Sequence, residues 1–345
     1  MSFTADILVG LSQGDEGKGC VTNALLKSGG YTHCVKSNGG HNSGHTIIHN
    51  GKKVVTHAVP SGVVQGVKSI VGPGCVLHPG LLEKEVLELE SVGIHVRKNL
   101  FIDNRVHIIT DEHLKEDGSD TKIGTTRKGN GPAYRDKYSR TGSRYGEVME
   151  RHAIPAPLSR LGLKCIDVYD EFFNGVSDAH ALFEGGQGFY LDVDWGDYPY
   201  VTSSHCTTAG AMLNGVPHQS IRKVYGISKA YDTYVGAKQF EPPESVFEKI
   251  REAGNEWGAT TGRPRQVNWL NIDNLIKAIR VNGVTHLITN KVDILREIGE
   301  WRVISGDEVV NLGSEEEYRG FLTKKVLRTC ETVQSIVFSS TPDGI

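Results

Sequence analysis

Ile7-Leu8-Val9, followed closely by Ser12-Gln13-Gly14-Asp15-Glu16-Gly17-Lys18-Gly19, is the stretch on which the fold turns. An apolar strand-forming run gives way to a glycine-rich turn that holds one lysine and two carboxylates. Glycines in such a turn let backbone N–H groups close around a phosphate, and a following helix N-terminus adds its dipole. The order strand, phosphate turn, helix is that of a parallel α/β sheet with its site at the carboxyl ends of the strands. A Walker A loop requires G-x-x-x-x-G-K-[ST]. Here Gly17-Lys18 runs into Gly19, so the hydroxyl that ordinarily meets Mg²⁺ is missing. Asp15 offers a hard oxygen instead. Alone, the stretch also reads as a glycine-rich surface turn.

Six further fragments work outward from it. Gly39-Gly40-His41-Asn42-Ser43-Gly44-His45-Thr46 places two histidines in a loop too rich in glycine for a core helix, which points to phosphoryl chemistry. Asn290-Lys291-Val292-Asp293 follows the strand-like run His286-Leu287-Ile288-Thr289. An aspartate there accepts from both N1–H and the 2-amino group of guanine, which adenine cannot match. Thr260-Thr261-Gly262-Arg263-Pro264-Arg265 is a carboxylate receptor, because guanidinium grips carboxylate through two parallel hydrogen bonds. Lys122 to Tyr134 suits a second phosphate, while Glu184 to Gly188 and Tyr198 to Ser204 offer amides and hydroxyls to a base edge or a phosphate. Each fragment by itself also reads as a turn.

Bulk properties narrow the class. The chain has 345 residues and a formal net charge of −3, so no global basic field argues for a nucleic acid as partner. Its 6 cysteines form no C-x-x-C pair and read as reduced thiols. No signal peptide opens the chain, and no apolar run approaches the ~20 residues of a membrane span, so a cytoplasmic protein with no membrane contact is expected. Strand-like runs recur at Ile7-Leu8-Val9, Val54-Val55, Ser69-Ile70-Val71, Phe101-Ile102, Ala181-Leu182-Phe183, Val224 to Ile227 and His286 to Thr289. Helical spacing covers Leu81 to Val92, Asp273 to Arg280 and Glu315 to Thr332. The predicted architecture is α/β: one domain over 1–345, a mostly parallel central sheet flanked by helices, a P-loop-like phosphate site, and helical insertions between residues 105 and 180.

In this order the motifs resemble the adenylosuccinate synthetase family, from about residue 7 to residue 343. The resemblance implies a ligase that uses GTP to join L-aspartate to C6 of IMP through a 6-phosphoryl intermediate. It also implies Mg²⁺ as cofactor and a homodimer. Carried over residue by residue, Asp15 is the base at N1 and, with the Gly44 carbonyl, a metal ligand. His45 is the acid partner at the phosphates, Lys18 the phosphoryl-stabilising cation, and Gln187 holds the purine edge. Gly14, Glu16, Gly17, Gly19 and Thr46 surround the GTP phosphates, and Lys291, Asp293, Ser339 and Pro342 the guanine. Asn42, Thr126, Thr202, Val235 and Arg263 join Gln187 around the purine nucleotide, to which Arg140 reaches across a dimer interface. Thr260, Thr261, Arg263 and Arg265 form the aspartate loop.

This chain departs from the family at Thr233-Tyr234-Val235-Gly236-Ala237-Lys238, near the sugar of the purine nucleotide in relatives, and at Gln266, which interrupts the arginine-rich end of the aspartate loop. Its shortness is nearer to archaeal members and to phage relatives that act on dGMP, which makes dGMP the alternative acceptor. A guanine-nucleotide switch fits less well, since no D-x-x-G lies between the phosphate turn and Asn290.

Overall fold

The protein is described by a computed structural model covering residues 2–120, 122–150, 154–175, 178–258 and 262–340. Among these residues the strands are β1 (Phe3–Gly10), β2 (His33–Lys36), β3 (His45–His49), β4 (Lys52–Thr56), β5 (Lys68–Val71), β6 (Val76–Leu77), β7 (Leu100–Asp103), β8 (His107–Ile108), β9 (Lys164–Ile166), β10 (Ala179–Glu184), β11 (Ile221–Lys229), β12 (Tyr231–Tyr234), β13 (Gln266–Asn271), β14 (His286–Asn290), β15 (Trp301–Ser305), β16 (Glu308–Leu312) and β17 (Ser335–Phe338). Nine of them build one sheet in the order β17-β14-β11-β1-β10-β2-β5-β7-β9. Every neighbouring pair in it is parallel.

A sheet of this kind is covered on both faces, so its central strands read as apolar runs rather than alternating ones. The alternation survives in what each residue touches. Ile7, Val9, Ala181 and Phe183 point into one core, whereas Leu8, Leu182, Ile227 and Ile288 point into another with Val21 and Leu26 of the helix Lys18–Lys27. Register then places the polar ends of the strands side by side, with Leu8 beside Glu184 and Glu184 beside Lys36.

The sheet is wholly parallel, slightly stricter than the sequence predicts. The helices expected at 81–92, 273–280 and 315–332 appear as Pro79–Ser91, Ile272–Asn282 and Glu315–Thr329. The first and last of these start at side-chain caps: His78 accepts from Leu81 N, and Ser314 accepts from Glu317 N. Helical insertions do fill much of 105–180, at Asp111–Gly118, Asn130–Ser139, Tyr145–Glu150 and Ala156–Leu161. The same region also supplies the edge strand β9, whose residues are largely exposed and so leave no apolar signal. Val54-Val55 is a strand, but in the antiparallel β3–β4 hairpin outside the main sheet. Past Ala230 the chain of β11 continues into β12, which begins a second, mixed sheet in the order β12-β13-β15-β16. That junction brings the second sheet against the phosphate turn.

Candidate active site

The turn after β1 is held from inside. The Glu16 carboxylate is buried and accepts from Ser12 N at 3.1 Å, Gly14 N at 2.8 Å and Lys18 Nζ at 2.5 Å. Its backbone carbonyl accepts from Asn290 Nδ2 at 2.7 Å, which fastens the Asn290–Asp293 motif to the phosphate turn. Gly17 caps the helix Lys18–Lys27 in the left-handed region, with φ 93° and no side-chain cap, so the first-turn N–H groups are left for a ligand. Gly19 stands where a P-loop has its hydroxyl because the helix passes against the histidine loop. A Cβ there would lie 2.8 Å from His45 Cβ.

His45 opens β3, and its Nδ1 is held by the Glu184 carboxylate at the end of β10. Burial pushes Glu184 up, but His45, the Lys36 ammonium and the Ser61 hydrogen bonds outweigh it and hold the carboxyl at about 2. Carboxylate on Nδ1 leaves Nε2 as the working nitrogen, and Nε2 is buried without a partner among the described residues. The rest of the loop is tied from outside. Glu85, on the helix Pro79–Ser91, accepts from the backbone N–H of His57, Ala58 and Val59, while His57 Nδ1 bonds to the Ser43 carbonyl at 2.8 Å.

Gln187 follows Glu184 in the left-handed region at φ 53°. Its Nε2 donates to Asn42 Oδ1 at 3.0 Å and its Oε1 accepts from Asn38 Nδ2 at 3.2 Å. Asn42 also reaches Thr202 Oγ1 at 3.4 Å and receives Asn130 Nδ2 at 3.0 Å. Asp15 and Lys291 have positive φ as well, 59° and 66°. Such backbone is uncommon away from glycine and concentrates at functional sites.

These segments enclose one cavity of about 680 Å³. Gly14, Asp15, Gly17, Lys18, Gly19, Asn42, Gly44, His45, Thr46, Thr126, Gln187, Thr202, Val235, Arg263, Arg265 and Lys291 all line it. Four other residues singled out from the sequence do not. Glu16 is turned into the loop, and Asp293 sits half-buried in the first turn of the helix Val292–Ile298. Ser339 is buried just beyond β17, and Arg140 is exposed after the helix Asn130–Ser139. Thr260, Thr261 and Pro342 lie outside the described residues. Lys291 Nζ donates to the Gly254 carbonyl at 2.8 Å, Arg263 Nη2 to the Gly124 carbonyl at 3.0 Å, and Arg265 Nε stands 2.9 Å from Asp15 Oδ2. A separate grouping of Asp192, Asp194 and His205 is spaced for a metal, yet Asp192 spends its oxygens on the N–H groups of Asp194, Trp195 and Cys206.

An adenylosuccinate synthetase family model matches residues 7–174 and 164–335. The adenylosuccinate synthetase of Cytophaga hutchinsonii is 38% identical over 347 aligned residues, 87% of this chain and 80% of the other. That of Geobacillus sp. (strain WCH70) is 35% identical over 377 aligned residues, 95% and 85% of the two chains. The chain belongs to the adenylosuccinate synthetase family. It is accordingly a ligase of purine biosynthesis. The fully ligated adenylosuccinate synthetase of Plasmodium falciparum superposes with a TM-score of 0.79 at 28% identity, covering 99% of this chain and 98% of that one. The succinoaminodeoxyadenylate synthetase of cyanophage S-2L, solved with dGMP and dATP, shares the fold with a TM-score of 0.76 at 21% identity, covering 99% and 94%.

Asn38, Lys36 and Asp232 are site-supporting residues that the sequence did not single out, and Glu184 stood there only as the first residue of an amide-bearing fragment, with no part assigned to its carboxylate. Asp232 opens the second sheet onto the phosphate turn, accepting from Ser12 Oγ at 2.5 Å and from Asn271 N at 3.1 Å. Burial pushes its carboxyl up to about 6, against the opposing pull of those two hydrogen bonds and Lys229. A folded-state value above the unfolded one makes the ionised group a cost. That cost is absent below about pH 4 and grows to about 3 kcal/mol by pH 7 to 8, from roughly two pK units at 1.36 kcal/mol each. Asp232→Asn is therefore expected to raise the melting temperature at pH 8 and to raise it about half as much at pH 5. A stability change independent of pH would show that Asp232 is not ionised at a cost.

Proposed function

We propose that this enzyme joins L-aspartate to C6 of IMP at the expense of GTP, giving adenylosuccinate, GDP and phosphate. The observation that supports this best is the convergence of Asp15, Lys18, His45 and Gln187 on one cavity that also takes in Lys291 and two arginines. The chemistry asks for such a set. The purine O6 is a poor leaving group, so it must first become a nucleophile and then a phosphate ester. Asp15 takes the N1 proton, and O6 gains the electron density with which it attacks the γ-phosphorus of GTP. Lys18 and the N–H groups that Gly17 leaves uncapped meet the negative charge of the transferring group, and His45 Nε2 donates to it when the ring is protonated, a form that burial disfavours and the Glu184 carboxylate on Nδ1 favours. Glu184 keeps that imidazole aimed. Gln187, braced by Asn38 and Asn42, holds the purine edge. The amine of L-aspartate then attacks C6, the C6–O bond breaks, and phosphate leaves.

Mg²⁺ fits the residues present: the Asp15 carboxylate, 30% exposed, and the Gly44 carbonyl are hard oxygens on the same cavity wall. When bound it would neutralise phosphate charge. Lys291 and Asp293 would read guanine, with Asn290 coupling that end to the phosphate turn. Ser339 and Pro342 would close over the base. Arg263 and Arg265, with Thr260 and Thr261, would take the carboxylates of aspartate. Arg140, exposed and off its own chain's cavity, would serve the purine phosphate of a second copy in a homodimer.

The same chemistry on dGMP is the second reading, favoured by the 234–238 segment. Tyr234 and Val235 line the cavity, and Lys238, whose Nζ lies 2.5 Å from Asp197 Oδ2, packs over the Tyr234 ring from outside it. Phosphate release with GTP, Mg²⁺ and L-aspartate, comparing IMP with dGMP, tests both. Preference for IMP supports ordinary adenine nucleotide synthesis, and preference for dGMP a diaminopurine route. No release with either overturns the proposal.

A further inference from the structure

Arg265 reaches the cavity wall already gripped from behind. One of its terminal nitrogens, Nη1, is paired with the Glu256 carboxylate, and its Nε lies 2.9 Å from Asp15 Oδ2. Glu256 is wholly buried and collects more donors: Lys229 Nζ at 3.2 and 3.3 Å and Tyr231 Oη at 2.7 Å. Lys229, also buried, donates onward to Thr233 Oγ1 at 2.5 Å. Glu256 further controls the stem of the loop, since Arg265 N donates to its backbone carbonyl at 3.0 Å and the next residue, Trp257, bridges Pro264.

A carboxylate so deeply buried is tolerated only when paired and hydrogen-bonded, and Lys229 alone would neutralise it. Two cations, Lys229 and Arg265, here meet two carboxylates, Glu256 and Asp15, so Lys229 answers the buried Glu256 and the guanidinium is held between Glu256 behind it and Asp15 on the cavity wall. A guanidinium has five N–H donors in a rigid plane, so fixing one edge fixes where the others point.

We infer that Glu256 is a positioning residue for the amino-acid substrate: by holding the Nη1 edge of Arg265, it presents the remaining donors to a carboxylate of an incoming dicarboxylic amino acid beside Asp15. The inference rests on the proposed role of Arg265 in the aspartate loop. A purely structural staple would make a different prediction, because loosening it would disturb every substrate alike.

The test is steady-state kinetics of Arg265→Ala, Glu256→Gln and Glu256→Asp, with the purine nucleotide, GTP and L-aspartate varied in turn. Arg265→Ala is expected to raise the KM for L-aspartate at least tenfold. Glu256→Gln is expected to raise the same KM about tenfold, with both nucleotide KM values within twofold of the parent. Glu256→Asp keeps the charge but draws it back by one methylene, so it is expected to give a smaller rise of the same kind, and it stands in should the glutamine variant fail to fold. An unchanged KM for L-aspartate in a folded Glu256 variant, or an equal rise in all three KM values, overturns the inference while leaving Arg265 in place. An unchanged KM in Arg265→Ala overturns the aspartate-loop reading itself.

Discussion

Asp15→Ala is expected to lower kcat by about 10³-fold or more, because two functions leave with one side chain: the base at N1 and a hard oxygen for the metal. Alanine also meets the backbone at φ 59°, which an L-residue adopts at a cost of roughly 1 kcal/mol. Asp15→Asn separates the two effects, since asparagine tolerates that conformation and keeps the shape while giving up charge and basicity. The asparagine variant is expected to lose nearly as much kcat as alanine, with a KM for GTP within a few-fold of the parent. Phosphate release at parental rates in both variants would remove Asp15 from the chemistry. A large loss in alanine but not in asparagine would mean that the turn's conformation, rather than the carboxylate, is what matters.

That Asp15, Lys18, His45 and Lys291 would line one cavity was legible from the sequence for a single reason. Each lies in a short contiguous motif, and contiguity is what a single chain displays. The parallel sheet was legible because its central strands are buried on both faces and read as apolar runs ending in glycine or polar residues. What sequence reading passed over is support that acts across the fold. Glu184 ends an apolar strand and meets His45 only because the loop from 37 to 45 returns past it. Glu256 meets Lys229 only because β11 and the 254–258 segment converge on the second sheet. Glu16 looks like a phosphate-turn ligand in the motif, yet the turn needs an internal acceptor for its own N–H groups and Glu16 supplies it. The exposed edge strand β9 carries no periodic signal at all. His45 and Glu184 are 139 positions apart and Lys229 and Glu256 27, each pair joined across different elements, so neither leaves a spacing to read.

Asp293→Asn is expected to exchange nucleotide preference, lowering kcat/KM for GTP by about 10²- to 10³-fold and raising that for XTP. Guanine presents N1–H and a 2-amino group, two donors that match the two oxygens of one carboxylate. Hydrogen bonds to a charged group contribute roughly 1.5–3 kcal/mol each, and asparagine offers one acceptor and one donor in their place. Xanthine carries an oxygen at the 2-position, so the amide NH₂ meets an acceptor where the carboxylate met a like charge. Asp293 is suited to the role by its placement in the first turn of the helix Val292–Ile298, two residues beyond the cavity-lining Lys291, whose left-handed backbone turns the chain there. Asn290, anchored on the Glu16 carbonyl at 2.7 Å, fixes that turn against the phosphate loop, so a base read at Asp293 and phosphates held at Gly17 would belong to one ligand. The measurement is phosphate release with GTP and XTP on parent and variant at equal Mg²⁺. Unchanged preference would place the base of the phosphoryl donor elsewhere in the cavity and leave the Asn290–Asp293 motif as a structural tie alone.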